Sequence, residues 1–318
     1  MFDPSTLLWT LSLLHAALAS PLSLGLFPTT STETPTALSQ ETVDTEFLRP
    51  ALFSRVAYCS SAAVTSWECG APCESMGGGI EVLQAGGDDG LIPMYFVAHD
   101  SATESIVVTH QGTDRKNILS ILNDVQLQLV KLNSTRFPGA DEDIRVHEGF
   151  QKTFERTADS VLGGVQAALA SKGVNKVLVT GHSLGAAMAL MDALMLKQNL
   201  DPSVEIKATL FGLPRAGNAA WADFVDATLG DTMTRVSNQN DPVPTLPPRF
   251  LGYQHPAREV HIRAVGADGE ATDTVACEGQ ENENCSLGNS VFDINIADHS
   301  GESGIPIPPF PFPFPSPT

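Results

Sequence analysis

The chain has 318 residues, 42% of them hydrophobic and 17% charged, which suits one sizeable buried core and argues against a disordered or fibrous polymer. Its 37 acidic residues outnumber 18 basic ones, for a net charge of −19. No run of lysine or arginine follows a phosphate backbone, so nucleic acid is not an expected partner, and any lipid surface the chain meets should be neutral rather than anionic.

Residues 1–19 have the pattern of a signal peptide. Leu7 to Ala19 is an apolar run too short to span a bilayer, and Ala17-Leu18-Ala19 supplies small residues before Ser20, although Asp3 stands where a basic residue is usual. Residues 20–44, rich in Ser, Thr and Pro, are expected to form a flexible leader or propeptide. The folded domain is placed at 45–303. It opens with Phe47, Leu48, Ala51, Leu52, Val56 and Ala57 at helical spacing, and the glycine- and acid-rich stretch 76–90 reads as a loop.

Strand-like runs follow at 93–99 and 106–109, then a helical region, one long amphipathic helix over 150–170, and a β-branched strand at 176–180. An alanine- and leucine-rich helix is predicted over 184–198, with further strands at 206–211, 233–236 and 260–264. Strands alternating with helices predict an α/β architecture whose central sheet is mostly parallel and flanked by helices. Residues 304–318 alternate proline with phenylalanine or isoleucine, which enforces polyproline II and reads as a disordered tail.

Among five cysteines, Cys69 with Cys73 and Cys277 with Cys285 are close enough in sequence to pair, leaving Cys59 as a free thiol or a competitor for Cys69 or Cys73. No histidine lies near Cys69 or Cys73 at zinc-ligand spacing, so neither a metal nor a cofactor is expected. The sequons Asn133-Ser134-Thr135 and Asn284-Cys285-Ser286 agree with a secreted, extracellular protein.

The chemistry is concentrated in Val177-Leu178-Val179-Thr180-Gly181-His182-Ser183-Leu184-Gly185, a strand running through G-x-S-x-G into a helix. A serine hydroxyl is a poor nucleophile unless it stands clear of its backbone beside a base. The strand-to-helix elbow supplies that pose for Ser183, and its glycines allow close approach. An orienting acid and then a histidine should follow in chain order. Asp241, after the strand Thr234-Arg235-Val236 and between Asn240 and Pro242, fits the acid, whereas Asp223, Asp226 and Asp231 lie in or around a helical segment. His299 lies on a loop at the end of the folded chain; His255 crowds the acid, and His261 sits inside a strand-like alternation. The oxyanion needs donors already in place. The Leu184 N–H follows from the elbow, and Thr113, closing Thr109-His110-Gln111-Gly112-Thr113 after an earlier strand, offers an N–H and a hydroxyl.

Five ordered stretches resemble the class 3 lipase family, the secreted fungal triacylglycerol lipases with an α/β-hydrolase-type fold. They are His110-Gln111-Gly112-Thr113, Val146-His147-Glu148-Gly149-Phe150, Gly181-His182-Ser183-Leu184-Gly185, Phe211-Gly212-Leu213-Pro214-Arg215-Ala216-Gly217-Asn218, and Asn240-Asp241-Pro242-Val243-Pro244 through Gly252-Tyr253-Gln254-His255. The resemblance implies a triad of Ser183, Asp241 and His299, an oxyanion hole of Thr113 and Leu184, and His147 and His182 as residues near the site that pack beside the catalytic groups or support them from behind. Departures are Ala186 where a third glycine is usual, Ser-Gly-Glu after His299, and no tryptophan in the lid region.

Within that region Ile118, Leu119, Ile121 and Leu122 form one apolar helical face, expected to act as a lid that closes in water and opens onto oil. The reading is therefore a triacylglycerol lipase cleaving acylglycerol esters at a lipid–water interface, without an obligate protein partner. The alternatives are a feruloyl-type or short-chain carboxylesterase, and a catalytically silent lipid-binding relative.

Overall fold

The computed structural model describes residues 30–87, 92–113, 127–267, 269–290 and 292–299. The signal-peptide reading, the lid face from Ile118 to Leu122 and the proline-rich tail fall outside these residues.

In chain order the strands are β1 (Thr36–Ala37), β2 (Ile80–Gly86), β3 (Tyr95–Asp100), β4 (Ser105–His110), β5 (Leu129–Lys131), β6 (Arg145–His147), β7 (Lys176–His182), β8 (Glu205–Phe211), β9 (Met233–Asn238), β10 (Glu259–Val265) and β11 (Ala271–Cys277). Nine of them form one sheet in the order β1-β11-β10-β9-β8-β7-β4-β3-β2. The central strands β4, β7, β8, β9 and β10 pair in parallel, while both flanks are antiparallel. The parallel character predicted from the alternation is thus confined to the centre. There β4 and β7 carry the apolar runs Ile106-Val107-Val108 and Val177-Leu178-Val179, as strands covered on both faces do.

Helices sort onto the two faces. Helix α1 (Gln40–Val43) passes through a π-helical turn (Asp44–Leu48) into α2 (Arg49–Val56), followed by the short α3 (Ser61–Thr65) and α4 (Ala71–Glu74). Farther on come α5 (Glu148–Glu155), α6 (Ala158–Lys172), α7 (Leu184–Asn199), α8 (Ala219–Leu229) and α9 (Ile296–His299). Successive strand residues point to opposite faces. Accordingly Val107 joins Phe53, Val56 and Phe96 from the α2 side, whereas Val108 joins Phe150, Phe154, Val161 and Leu190 from α5, α6 and α7. Every residue of α7 from Gly185 to Leu196 is buried, as a stretch that is Ala, Leu and Met but for Gly185 and the His110-paired Asp192 requires.

Three elements depart from expectation. Residues 30–44 are not a loose leader: β1 pairs with β11, Ser39 caps α1, and Val43 packs with Phe47, Ala51 and Val236. Leu38 and Val43 bring apolar surface to a Ser/Thr/Pro-rich stretch, and the edge of β11 offers unpaired backbone. The stretch 76–90, read as a loop, contains β2, which pairs with β3 through a register shift between Val82 and Gln84. The single helix expected over 150–170 is two. Thr157 turns its Oγ1 onto the Phe154 carbonyl at 3.3 Å, and the Arg156 and Thr157 amides bond three residues back rather than four, a local competition that ends α5.

Candidate active site

The carboxyl ends of the parallel strands bring the site together, as expected for an open α/β sheet. β7 ends at His182 and delivers Ser183 at φ 61°, ψ −130°, a backbone region that a non-glycine residue holds only when its surroundings impose it. Those surroundings are visible. The Ser183 amide donates to the Phe211 carbonyl at 2.9 Å, and Gly185 lies so close to the end of β4 that a Cβ there would stand 2.3 Å from the His110 carbonyl oxygen. Ser183 is buried at 2% exposure and stands at the N-cap of α7.

Asp241 and His299, 58 residues apart, meet through Asp241 Oδ2 and His299 Nδ1 at 2.8 Å. The second carboxylate oxygen accepts from the Val243 amide at 2.8 Å, so the acid's orientation is held from both sides. A carboxylate accepts, hence Nδ1 carries the proton and His299 presents Nε2 as the basic nitrogen. Nε2 is buried and has no hydrogen-bond partner among the described residues. A bond to Ser183 is therefore not formed in this state, as is common before substrate tightens such geometry. Gly212, which follows β8 at φ +55°, packs directly on the pair: a Cβ there would lie 2.9 Å from His299 Cε1 and 3.2 Å from Asp241 Oδ2.

The Leu184 N–H stands at the first position of α7, where helix geometry leaves amides without an intrahelical acceptor and the dipole favours negative charge. Gly112 abuts the elbow, its missing Cβ being 3.1 Å from Ser183 Cβ, and Thr113 follows it as the last described residue before residue 127.

The other histidines have structural work. His255 is buried, and its Nε2–H donates to the Pro244 carbonyl at 2.8 Å; burial, then Arg235 and Arg215, hold its imidazole well below the ordinary range. His261 lies in β10 with Nδ1 2.9 Å from Ser237 Oγ. His147 stacks on Phe150, and its Nδ1 accepts from the Phe150 amide at 3.3 Å, capping α5; burial pushes its pKa down to about 4.

Cys69 is bridged to Cys73 and Cys277 to Cys285, with Cys59 free. Of the sequon asparagines, Asn284 is exposed and Asn133 half-buried. Their amide nitrogens donate to the Thr32 carbonyl at 3.0 Å and to Glu155 at 2.6 Å respectively.

Sequence reasoning missed Tyr58, whose Oη lies 2.7 Å from His182 Nδ1; nothing around it has motif spacing. It also gave no role to Arg215, although that residue lies in one of the quoted stretches. Arg215 clamps the Asp241 loop through the carbonyls of Thr245 and Pro247 and the Leu246 carbonyl at its own amide.

Residues 107–251 match the model of the class 3 lipases, described as "Lipase (class 3)". Over 247 residues the chain is 36% identical to the secreted mono- and diacylglycerol lipase MDL2 of Malassezia globosa, covering 76% of this chain and 79% of that one. The lipase of Rhizopus microsporus var. chinensis is 28% identical with a TM-score of 0.73, covering 88% of this chain and 92% of that structure. A triacylglycerol lipase structure described as having a serine protease triad as its catalytic centre is 26% identical, with a TM-score of 0.71 and coverage of 84% and 96%. The fold is that of the α/β-hydrolases. The chain belongs to the class 3 lipase family and is a secreted carboxylic ester hydrolase.

Proposed function

We propose that the chain hydrolyses acylglycerols, mono- and diacylglycerols foremost, by covalent catalysis at Ser183. The observation that carries this reading is the Asp241–His299 pair, 2.8 Å apart, at the carboxyl ends of the strands that also deliver the strained Ser183. Ser183 Oγ attacks the ester carbonyl carbon while its proton passes to His299 Nε2. Asp241 stabilises the imidazolium, and the carbonyl oxygen takes the negative charge toward the Leu184 N–H and Thr113. One such donor is worth about 3 kcal/mol. Collapse expels the glycerol oxygen, which takes the proton back from His299. Water activated by the same histidine then releases the fatty acid and restores Ser183.

The substrate class draws on two supports. The relatives at 36% and 33% identity are named mono- and diacylglycerol lipases. In addition, a groove of about 360 Å³ beside Asp241 is walled by Pro242, Leu246, Pro248, Phe250 and Ile294. Its rim carries Phe250 at 85% and Ile294 at 53% exposure, apolar surface that water disfavours and a neutral lipid surface would cover. The apolar face of Ile118, Leu119, Ile121 and Leu122 is proposed to complete that surface as a lid.

Initial rates on emulsified diolein, emulsified triolein, dissolved p-nitrophenyl butyrate and methyl ferulate test the proposal. It expects diolein to be the best substrate, with rates rising once an interface forms. Turnover confined to dissolved esters would instead make the chain a short-chain or feruloyl-type esterase, and no turnover on any of them would leave a lipid-binding relative.

A further inference from the structure

His182, immediately before the nucleophile, takes no part in the mechanism above. We propose that it is a positioning residue that holds His299 in place through the backbone, with Tyr58 fixing its tautomer; the inference rests on the Ser183–His299 reading.

His182 Nε2 lies 2.7 Å from the His299 main-chain oxygen. A carbonyl can only accept, so in the neutral ring Nε2 carries the proton and Nδ1 is left as an acceptor. That acceptor is met by Tyr58 Oη at 2.7 Å. The hydrogen bonds therefore run in one direction, from the Tyr58 hydroxyl to His182 and from His182 to the His299 carbonyl.

The carbonyl needs such a partner. His299 ends α9, a helix of four residues, whose last carbonyls have no intrahelical donor. The preceding carbonyl, of Asp298, is taken by Asn238 Nδ2 at 2.8 Å. Side chains from the carboxyl ends of β7 and β9 thus grip two successive carbonyls of the segment that presents the base. The His182 and His299 rings also pack at 4.4 Å between centroids, 36° apart. At that separation a charged His182 would oppose the imidazolium that His299 must become, so a neutral tautomer at 182 suits the chemistry.

Tyr58 joins this chain to the other half of the site. A Cβ on Gly112 would lie 2.2 Å from Tyr58 Oη and 2.5 Å from the His182 carbonyl oxygen, so only a glycine in the oxyanion loop lets the hydroxyl in.

The test uses the full chain with the variants Tyr58→Phe, His182→Leu, His182→Gln and the double variant Tyr58→Phe/His182→Leu. The substrate is dissolved p-nitrophenyl butyrate, and rates are expressed per site titrated with an organophosphonate. His182→Leu is expected to lower kcat about 100-fold with KM within about twofold, the size of loss that a small misplacement of a catalytic group produces. His182→Gln, whose amide N–H can reach the same carbonyl, should recover most of that loss. Tyr58→Phe should cost about three- to tenfold in kcat, and adding it to His182→Leu should cost nothing further, because Tyr58 acts on His299 through His182. Equal losses in the Leu and Gln variants, multiplying losses in the double variant, or a change in KM alone would overturn the proposal. Tyr58→Phe removes one oxygen from a half-buried side chain and is expected to fold, so an unaltered kcat in that variant also overturns it. Persistent phosphonate incorporation in Ser183→Ala would instead defeat the underlying serine reading.

Discussion

Arg215 and Glu281 form a buried two-pronged ion pair, Nε to Oε1 at 2.7 Å and Nη2 to Oε2 at 3.0 Å, which ties the Asp241 loop to the segment beside the Cys277–Cys285 bridge. Glu281 Oε1 also accepts from the His255 amide at 2.9 Å. Removing one partner strands a buried charge, which costs about 3–5 kcal/mol. Glu281→Ala is therefore expected to lower the unfolding free energy by that amount, seen as a lower urea midpoint, and to reduce kcat in the fraction that stays folded because the loop bearing Asp241 loses its anchor. An unchanged midpoint would refute the role given to the pair.

Gly212→Ala is expected to abolish most activity while leaving the protein folded. The added methyl would meet His299 Cε1 at 2.9 Å on a backbone at φ +55°, so the ring proposed to accept the Ser183 proton is displaced. Displacement of this size costs about 100-fold in kcat. Comparison of kcat, KM and the near-UV circular dichroism spectrum checks it; kcat within twofold of the parent would contradict the geometry.

Acid should destabilise the fold through its buried imidazoles. Burial pushes the pKa of His147 from 6.5 down to about 4, and His255 and His261 shift in the same direction. For each, the unfolded chain binds more protons than the folded one between the two values. The stabilisation is therefore complete above pH 6.5 and is lost as pH falls toward the folded value. For His147 the loss between pH 7 and 5 is about 2 kcal/mol. His147→Asn keeps an acceptor to cap α5 and should lose correspondingly less stability over that interval, measured by urea unfolding at both pH values. Equal losses in the two proteins would contradict this.

Cys59 should be chemically quiet in the native protein. Burial raises its thiol to about 11, with the Arg55 charge opposing, so almost no thiolate is present at neutral pH. Ellman's reagent is expected to find one reactive thiol per chain in denaturant and none rapidly in the native state. Fast native labelling would show that the thiol is open to solvent.

Much of the site was legible because its chemistry depends on short local patterns. The elbow around Ser183 announces itself through glycine spacing between a β-branched strand and an alanine-rich helix, and Asp241 through a strand end followed by prolines. His299 was reached among three downstream histidines by its loop position at the end of the folded chain and by the family resemblance. All three are buried in the fold, and what separates them is their partners: Pro244 for His255, Ser237 for His261 and Asp241 for His299. The same limit hid Tyr58, whose partner His182 is 124 residues away. Residues 30–44 and β2 were misread because Ser, Thr, Pro, Gly and acidic residues depress strand and helix propensity, and tertiary pairing with β11 and β3 overrode it.

The most direct test of the central claim is the site and rate of organophosphonate labelling, followed by intact mass and peptide mapping in the parent, Ser183→Ala and His299→Ala proteins. The account predicts a single adduct on the peptide containing Ser183, none in Ser183→Ala, and labelling slowed by about 10⁴-fold or more without the base. An adduct at another residue, or an undiminished rate in His299→Ala, would contradict it.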